Sequence, residues 1–178
     1  IGKSAFEGCT DLNSIDMQKT TVKGNFKIGK SAFEGCTDLN SIDMPQTIGL
    51  DFTIDEHAFE GCTGLNSIDM PQTINDSFTI KDFAFQGCTD LNSIDMQETV
   101  VKGNFIIGEN AFDNCLKLAS ITMPQTVNGS FTIGSFSFEN CTGLKSIDMP
   151  QTINGSFSID EHAFEGCTGL NSIDMPQT

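Results

Sequence analysis

Residues 1–17 read IGKSAFEGCTDLNSIDM, and the same string returns unchanged at 28–44. Variants of it begin again at Ile54, Ile80, Ile107, Ile133 and Ile159, so the chain is seven copies of one unit. The copies span 1–27, 28–53, 54–79, 80–106, 107–132, 133–158 and 159–178, and no residue lies outside them. A fixed period of about 20 to 50 residues marks a solenoid, in which each unit contacts only its neighbours and stacking completes the core. The expectation is a single solenoid without a second domain. Both ends of the chain are ordinary copies with no polar capping repeat, and it is read as a fragment of a longer array.

The copy at 54–79, IDEHAFEGCTGLNSIDMPQTINDSFT, shows what one coil should be. Ile54, Ala58, Phe59 and Cys62 fall on one face of a short helix or 3₁₀ segment. Asp55 and Glu56 suit its N-terminus, and Gly61 can take the left-handed conformation that ends it. In Leu65-Asn66-Ser67-Ile68-Asp69-Met70 the apolar side chains alternate inward from a short strand while Ser67 and Asp69 face out, and Pro71 stops the ladder. Gln72 to Asp76 turn the coil, and Ser77-Phe78-Thr79-Ile80 forms a second short run into the next copy. Coils one and four carry one extra residue, assigned here to the turn at Lys23-Gly24-Asn25 and Lys102-Gly103-Asn104. The fold class expected is an α/β-type solenoid, mostly β: a right-handed coil that resembles a leucine-rich repeat, with one or two short parallel strands and a short helical or 3₁₀ segment per repeat.

Composition excludes several function classes. The net charge is −15, from 24 acidic residues and nine lysines, and Arg, Trp and Tyr are absent. Such a surface repels phosphate backbones and lacks the main reader of bases, so no nucleic-acid partner is expected. No window is long and apolar enough for a membrane span, and no signal peptide is apparent. Catalysis needs one place where unlike groups converge, and this chain repeats itself too closely to provide it.

The pattern I-x-x-x-A-F-x-G-C-x-x-L-x-S-I-x-M-P resembles the BspA-type leucine-rich repeat of bacterial and protist surface proteins, across all seven copies. The departures are Met before Pro, Gln18 and Gln97 in place of Pro, and a longer connecting stretch such as TINGSFT. The resemblance implies a place outside the cell or on its surface and a role in binding, often adhesion. It implies no catalytic residue.

Stacking turns each repeat position into a row with a spacing of about 4.8 Å. The acidic row is Asp16, Asp43, Asp69, Asp95, Asp148 and Asp174, interrupted by Thr122, and beside it runs Ser14, Ser41, Ser67, Ser93, Ser120, Ser146 and Ser172. This strand face is the candidate binding site. Like charges so close repel, and a basic partner or a hard cation such as Ca²⁺ would relieve them. No other cofactor is expected and no metal centre is assigned. Seven cysteines, Cys9, Cys36, Cys62, Cys88, Cys115, Cys141 and Cys167, share one inward position and read as free thiols packed as small hydrophobes. His57 and His162 lie four coils apart, too far to share a metal, and are expected exposed on the short helix. Asn75, Asn128 and Asn154 head N-x-S sequons in the same turn, so in a secreting eukaryote glycans attached there would line one edge.

The function expected is a non-enzymatic surface module that binds protein or glycan ligands through the repeated Ser/Asp face. The alternative is structural, a subunit of an extracellular filament or sheath built by end-to-end stacking of uncapped coils. A Thr ladder for ice binding is spoiled by Asn25/Lys27 and Asn104/Ile106.

Overall fold

The computed structural model describes residues 1–175 and contains strands and turns only. Every strand is two or three residues long and pairs in parallel with its equivalent in the next coil, so the strands form three sheets running along the axis. The first holds seven strands, Ser14–Asp16, Ser41–Asp43, Ser67–Asp69, Ser93–Asp95, Ser120–Thr122, Ser146–Asp148 and Ser172–Asp174. The second holds five two-residue strands, typified by Thr73–Ile74, with Val22 bridging to Ile48 at one end. The third holds six of the form Phe78–Ile80. Register is strict: Ser41 faces Ser67, Ile42 faces Ile68 and Asp43 faces Asp69. The repeat allows nothing else, because a slip of one residue would turn Ile68 outward and Asp69 into the core.

The expected helix is absent, and its residues form the turn side of the coil. A helix would bond each N–H to the carbonyl four residues back. Here alternate N–H groups leave the coil instead: His57, Phe59 and Gly61 donate to the carbonyls of Asp82, Ala84 and Gln86 at 3.2, 2.7 and 2.9 Å. The groups between them, Ala58, Glu60 and Cys62, close tight turns onto Asp55, His57 and Phe59. Gly61 does take the left-handed conformation (φ 67°), but so does His57 (φ 57°), and two such residues four apart break any right-handed helical run. The apolar spacing of Ile54, Ala58, Phe59 and Cys62 fits an inward face of this turn side equally well, which is why periodicity alone misread it. Asp55 and Glu56 cap nothing; they pair with lysines, Lys27 and Lys81 on Asp55 and Lys30 on Glu56.

Two further corrections concern the corners. Thr73–Ile74, read as part of a turn, is a strand, giving three strands per coil where one or two were expected. The extra residue of coil four is not in the Lys-Gly-Asn turn. Val100 and Val101 pair with Thr73 and Ile74, and Phe105 with Phe78, so the surplus falls among Gln97, Glu98 and Thr99. That segment turns outward, with Thr99 N–H donating to the Met96 carbonyl at 2.9 Å and the buried Thr99 hydroxyl to the Pro71 carbonyl at 2.8 Å. In coil one the bridge from Val22 to Ile48 and the pairing of Phe26 with Phe52 place the surplus at the same corner. The loss of proline at Gln18 and Gln97 and the added residue are therefore one event.

The core is continuous along the axis. Phe33, Phe59, Phe85, Phe112 and Phe138 stack at 5.0–5.2 Å, and Phe52, Phe78, Phe105 and Phe131 form a second stack at 4.8–5.0 Å. Leu65, Ile68 and Met70 fill the space behind the first sheet. Stacked rings add about 0.5–1.5 kcal/mol per pair beyond the area they bury, so both stacks help to hold the register.

Candidate binding faces

In the seven-stranded sheet inward Ile alternates with outward Ser and Asp, and the stacking brings the predicted residues together as two continuous rows. Ser14, Ser41, Ser67, Ser93, Ser120, Ser146 and Ser172 lie opposite one another in register, as do Asp16, Asp43, Asp69, Asp95, Thr122, Asp148 and Asp174. Asp43 is half-buried and the other five carboxylates are exposed. Among the described residues none of the six takes part in an ion pair, while Asp55 and Glu56 on the turn side hold three lysines between them. The polar contacts the row does make come from the corners that lost proline. Gln18 N–H donates to Asp16 Oδ1 at 3.0 Å, Gln97 N–H to Asp95 Oδ1 at 2.9 Å, and Gln18 Nε2 reaches two coils on to Asp69 Oδ2 at 2.9 Å. No three His, Cys, Asp or Glu side chains among the described residues lie close enough together to hold a metal ion. Calcium would meet this face as a line of single carboxylates.

Beside the acidic row, where the first sheet bends into the second, lies a hollow of about 670 Å³. Its polar lining is Gln97, Thr122, Gln125, Asp148, Gln151, Thr152 and Asp174, over Met123, Met149, Met175 and Pro150. Gln97 lines this hollow from the longer corner of coil four, and Pro150 from the equivalent position of coil six. Thr122, where the other coils carry Asp, gives it an uncharged stretch. Sequence reading noted both departures without seeing that they meet. The coincidence of a missing proline with a longer coil was the signal that could have joined them.

The sequon turn is an edge of its own. Asn25, Asp51, Ser77, Asn104, Ser130 and Ser156 form a polar row in which each side-chain oxygen as far as Ser130 accepts the backbone N–H of the next coil's equivalent, at 2.9–3.3 Å. The serines of all three sequons are thus part of the row. Asn75 is half-buried, donates to the Ile48 carbonyl and accepts from Lys102 Nζ, whereas Asn128 and Asn154 are exposed.

Five of the seven cysteines are buried; Cys167 is half-buried and Cys9 exposed. From Cys36 onward each Sγ donates to the phenylalanine carbonyl of the preceding coil at 2.9–3.2 Å. The same carbonyl accepts the local cysteine N–H, as Phe33 does from Cys36, so both its lone pairs are used. Burial raises the thiol pKa of Cys62 to about 12 and drives that of Cys88 up as well. His57 and His162 are separate, as expected, but they lie on no helix: both are left-handed and stacked on phenylalanine rings, and each lies against a glutamate three residues on.

A model of the BspA type leucine rich repeat region matches residues 1–129 and 106–178, in six copies. The chain belongs to the BspA-type leucine-rich repeat family. Among solved structures, a T. pallidum leucine-rich repeat protein is similar, with 25% identity, a TM-score of 0.60, and 87% of this chain and 65% of that one covered. A leucine-rich repeat protein from Bacteroides ovatus matches at 22% identity over 99% of this chain and 70% of its own, with a TM-score of 0.44. A leucine rich cell surface protein from Faecalibacterium prausnitzii matches at 20% over 98% and 62%, with a TM-score of 0.37. This BspA-type chain therefore spans about two thirds of the length of these proteins. No curated protein matches it. No helix of the described residues is long and apolar enough to cross a membrane.

Proposed function

We propose that this BspA-type array is a non-enzymatic binding module displayed outside the cell, taking a protein or glycan ligand on its Ser/Asp sheet and the adjoining hollow. The observation that carries the reading is the state of the acidic row: its carboxylates lie in register and, among the described residues, without ion pairs, beside rows of hydroxyl and amide groups. Side chains so arranged hold hydrogen-bonding capacity in reserve. Seven near-identical coils offer it repeatedly, so several weak contacts add by avidity. The family, whose members are repeat proteins, supports a binding role.

Ligand chemistry follows from the lining. Carboxylates and primary amides accept from and donate to sugar hydroxyls, and the carboxylates favour amines and basic side chains. The test is an array of glycans and extracellular proteins probed with the wild type and with a variant carrying Asp95→Asn, Asp148→Asn and Gln97→Ala. A ligand bound by the wild type should be weakened at least about tenfold by the triple variant, the equivalent of about 1.4 kcal/mol. Binding that the substitutions leave intact would remove this face as the site. Regular filaments of the isolated protein in electron micrographs, with no ligand on the array, would favour the structural role.

A further inference from the structure

On the turn side, the left-handed position of successive coils is Ser4, Ser31, His57, Phe83, Asn110, Phe136 and His162. Bulky residues seldom adopt this conformation, yet four rings occupy it here, in two pairs. His57 lies on Phe83 with centroids 5.1 Å apart and planes 2° from parallel, and Phe136 on His162 at 4.8 Å and 6°. Each imidazole is also held at its edge by a carboxylate three residues on, Glu60 for His57 and Glu165 for His162, the latter at 2.7 Å. The column thus shows twice what it accepts: a planar nitrogen-bearing group laid on a phenylalanine face, with a carboxylate beside it.

Between the pairs stands Asn110, whose side chain is too short to continue the stack. One face of Phe83 and one face of Phe136 are turned towards it. The coil step here is that of the neighbouring core rings, 5.0 Å from Phe85 to Phe112 and 5.2 Å from Phe112 to Phe138. Two such steps separate Phe83 from Phe136, which is room for one more planar group at the spacing the column already uses. All three residues are half-buried. Glu139 follows Phe136 by three, as Glu165 follows His162, and Glu109 adjoins Asn110. Asp113 is occupied by donors from Gln86 and Asn114. Lys81, two residues before Phe83, is tied to Asp55 at 2.8 Å, and Lys117, seven residues after Asn110, to Asp90 at 2.8 Å.

We propose that the notch over Asn110 receives the guanidinium of an arginine from a basic partner protein, sandwiched between Phe83 and Phe136 and paired at its edge with Glu139 or Glu109. A guanidinium is planar, weakly hydrated and stacks on aromatic faces while bonding carboxylates, whereas an ammonium is a compact and strongly hydrated charge. The chain contains no arginine, so the group must come from another molecule, and a net charge of −15 draws basic segments to the surface. The site is on a different side of the coil from the Ser/Asp sheet and does not depend on it.

The probes are tetra-arginine and tetra-lysine peptides with blocked termini, measured by fluorescence anisotropy at physiological salt. The arginine peptide should bind about tenfold more tightly. Asn110→Phe continues the ring stack and fills the notch, so it should bring arginine binding down to the lysine level without lowering Tm. Asn110→Ser, a residue this column already carries at Ser4 and Ser31, leaves the notch open and should keep the preference. If Asn110→Phe does not fold, Phe83→Ser removes one wall and should abolish the preference. A double substitution on the other face, Asp95→Asn with Asp148→Asn, should leave it unchanged. Equal binding of the two peptides, no binding of either, or an arginine preference that survives filling of the notch overturns the proposal.

Discussion

The backbone N–H of Gln97 donates to Asp95 Oδ1 at 2.9 Å, a bond that proline at this position cannot make. Coil four is one residue longer at this corner, and Gln18 repeats the arrangement with Asp16 at 3.0 Å. Gln97→Pro should therefore be no return to the consensus of the other coils. It removes a donor to a carboxylate while the longer corner stays, and should destabilise the protein by about 1 kcal/mol. Removing Thr99 together with Gln97→Pro restores the shorter, proline-bearing corner and should recover much of that loss, less the Thr99 hydroxyl bond to Pro71. Urea midpoints of the two variants check this; equal midpoints would mean that corner length and proline are independent.

What the sequence disclosed and what it hid divide along a physical line. Alternation in Leu65 to Met70 determines which side chains face in, and seven copies force equal residues into register, so the Ser and Asp rows are legible in the sequence itself. The turn side is not. Inward spacing of Ile54, Ala58, Phe59 and Cys62 is shared by a helix and by a chain of turns, and the deciding fact is that the N–H groups of His57, Phe59 and Gly61 are satisfied by the next coil. That is a long-range property, invisible in a window of one repeat. The Phe83 and Phe136 pairs with histidine were hidden for a related reason: they arise only when divergent residues of adjacent coils are laid over one another.

Ser137 gives a stability test within the core. It is fully buried where the neighbouring coils carry Ala111 and Ala163, and its hydroxyl has no hydrogen-bond partner among the described residues. An unpaired buried hydroxyl costs about 1–3 kcal/mol, and alanine is accepted at this position in the adjacent coils. Ser137→Ala should stabilise the protein by about 1 kcal/mol, raising the urea midpoint. A lower midpoint would show that the hydroxyl is satisfied in solution.

Acid should weaken the array at a defined place. Burial disfavours the charged form of Asp55, but hydrogen bonds from Lys27 and Lys81 outweigh it and hold the carboxyl at about 2, below its usual 3.8. A folded-state value below the unfolded one means that the contribution is complete above pH about 4 and is lost as the pH falls towards 2. The shift corresponds to on the order of 2 kcal/mol, and to rather less once the exposure of both lysines is allowed for. Asp55→Asn should accordingly be less stable than the wild type at pH 6, with the gap closing by pH 2. A gap that is constant across this range would show that the ion pairs do not carry it.

The cysteine column predicts a graded labelling pattern. Thiolate is the reactive form, and at pH 8 a group with a pKa of about 12, such as Cys62, is ionised to the extent of about one part in ten thousand. Its sulfur is also enclosed and donates to the Phe33 carbonyl. Cys9 is exposed and Cys167 half-buried. A thiol reagent added to native protein should therefore modify Cys9 first and Cys167 more slowly. Cys36, Cys62, Cys88, Cys115 and Cys141 should react only at the rate of unfolding, as peptide mass spectrometry would show. The five should also react together, because each sulfur packs against the coil before it and none can be uncovered without parting two coils. Early labelling of Cys88 or Cys115 in advance of Cys167 would contradict this, since it would require the middle of the stack to open before its flank.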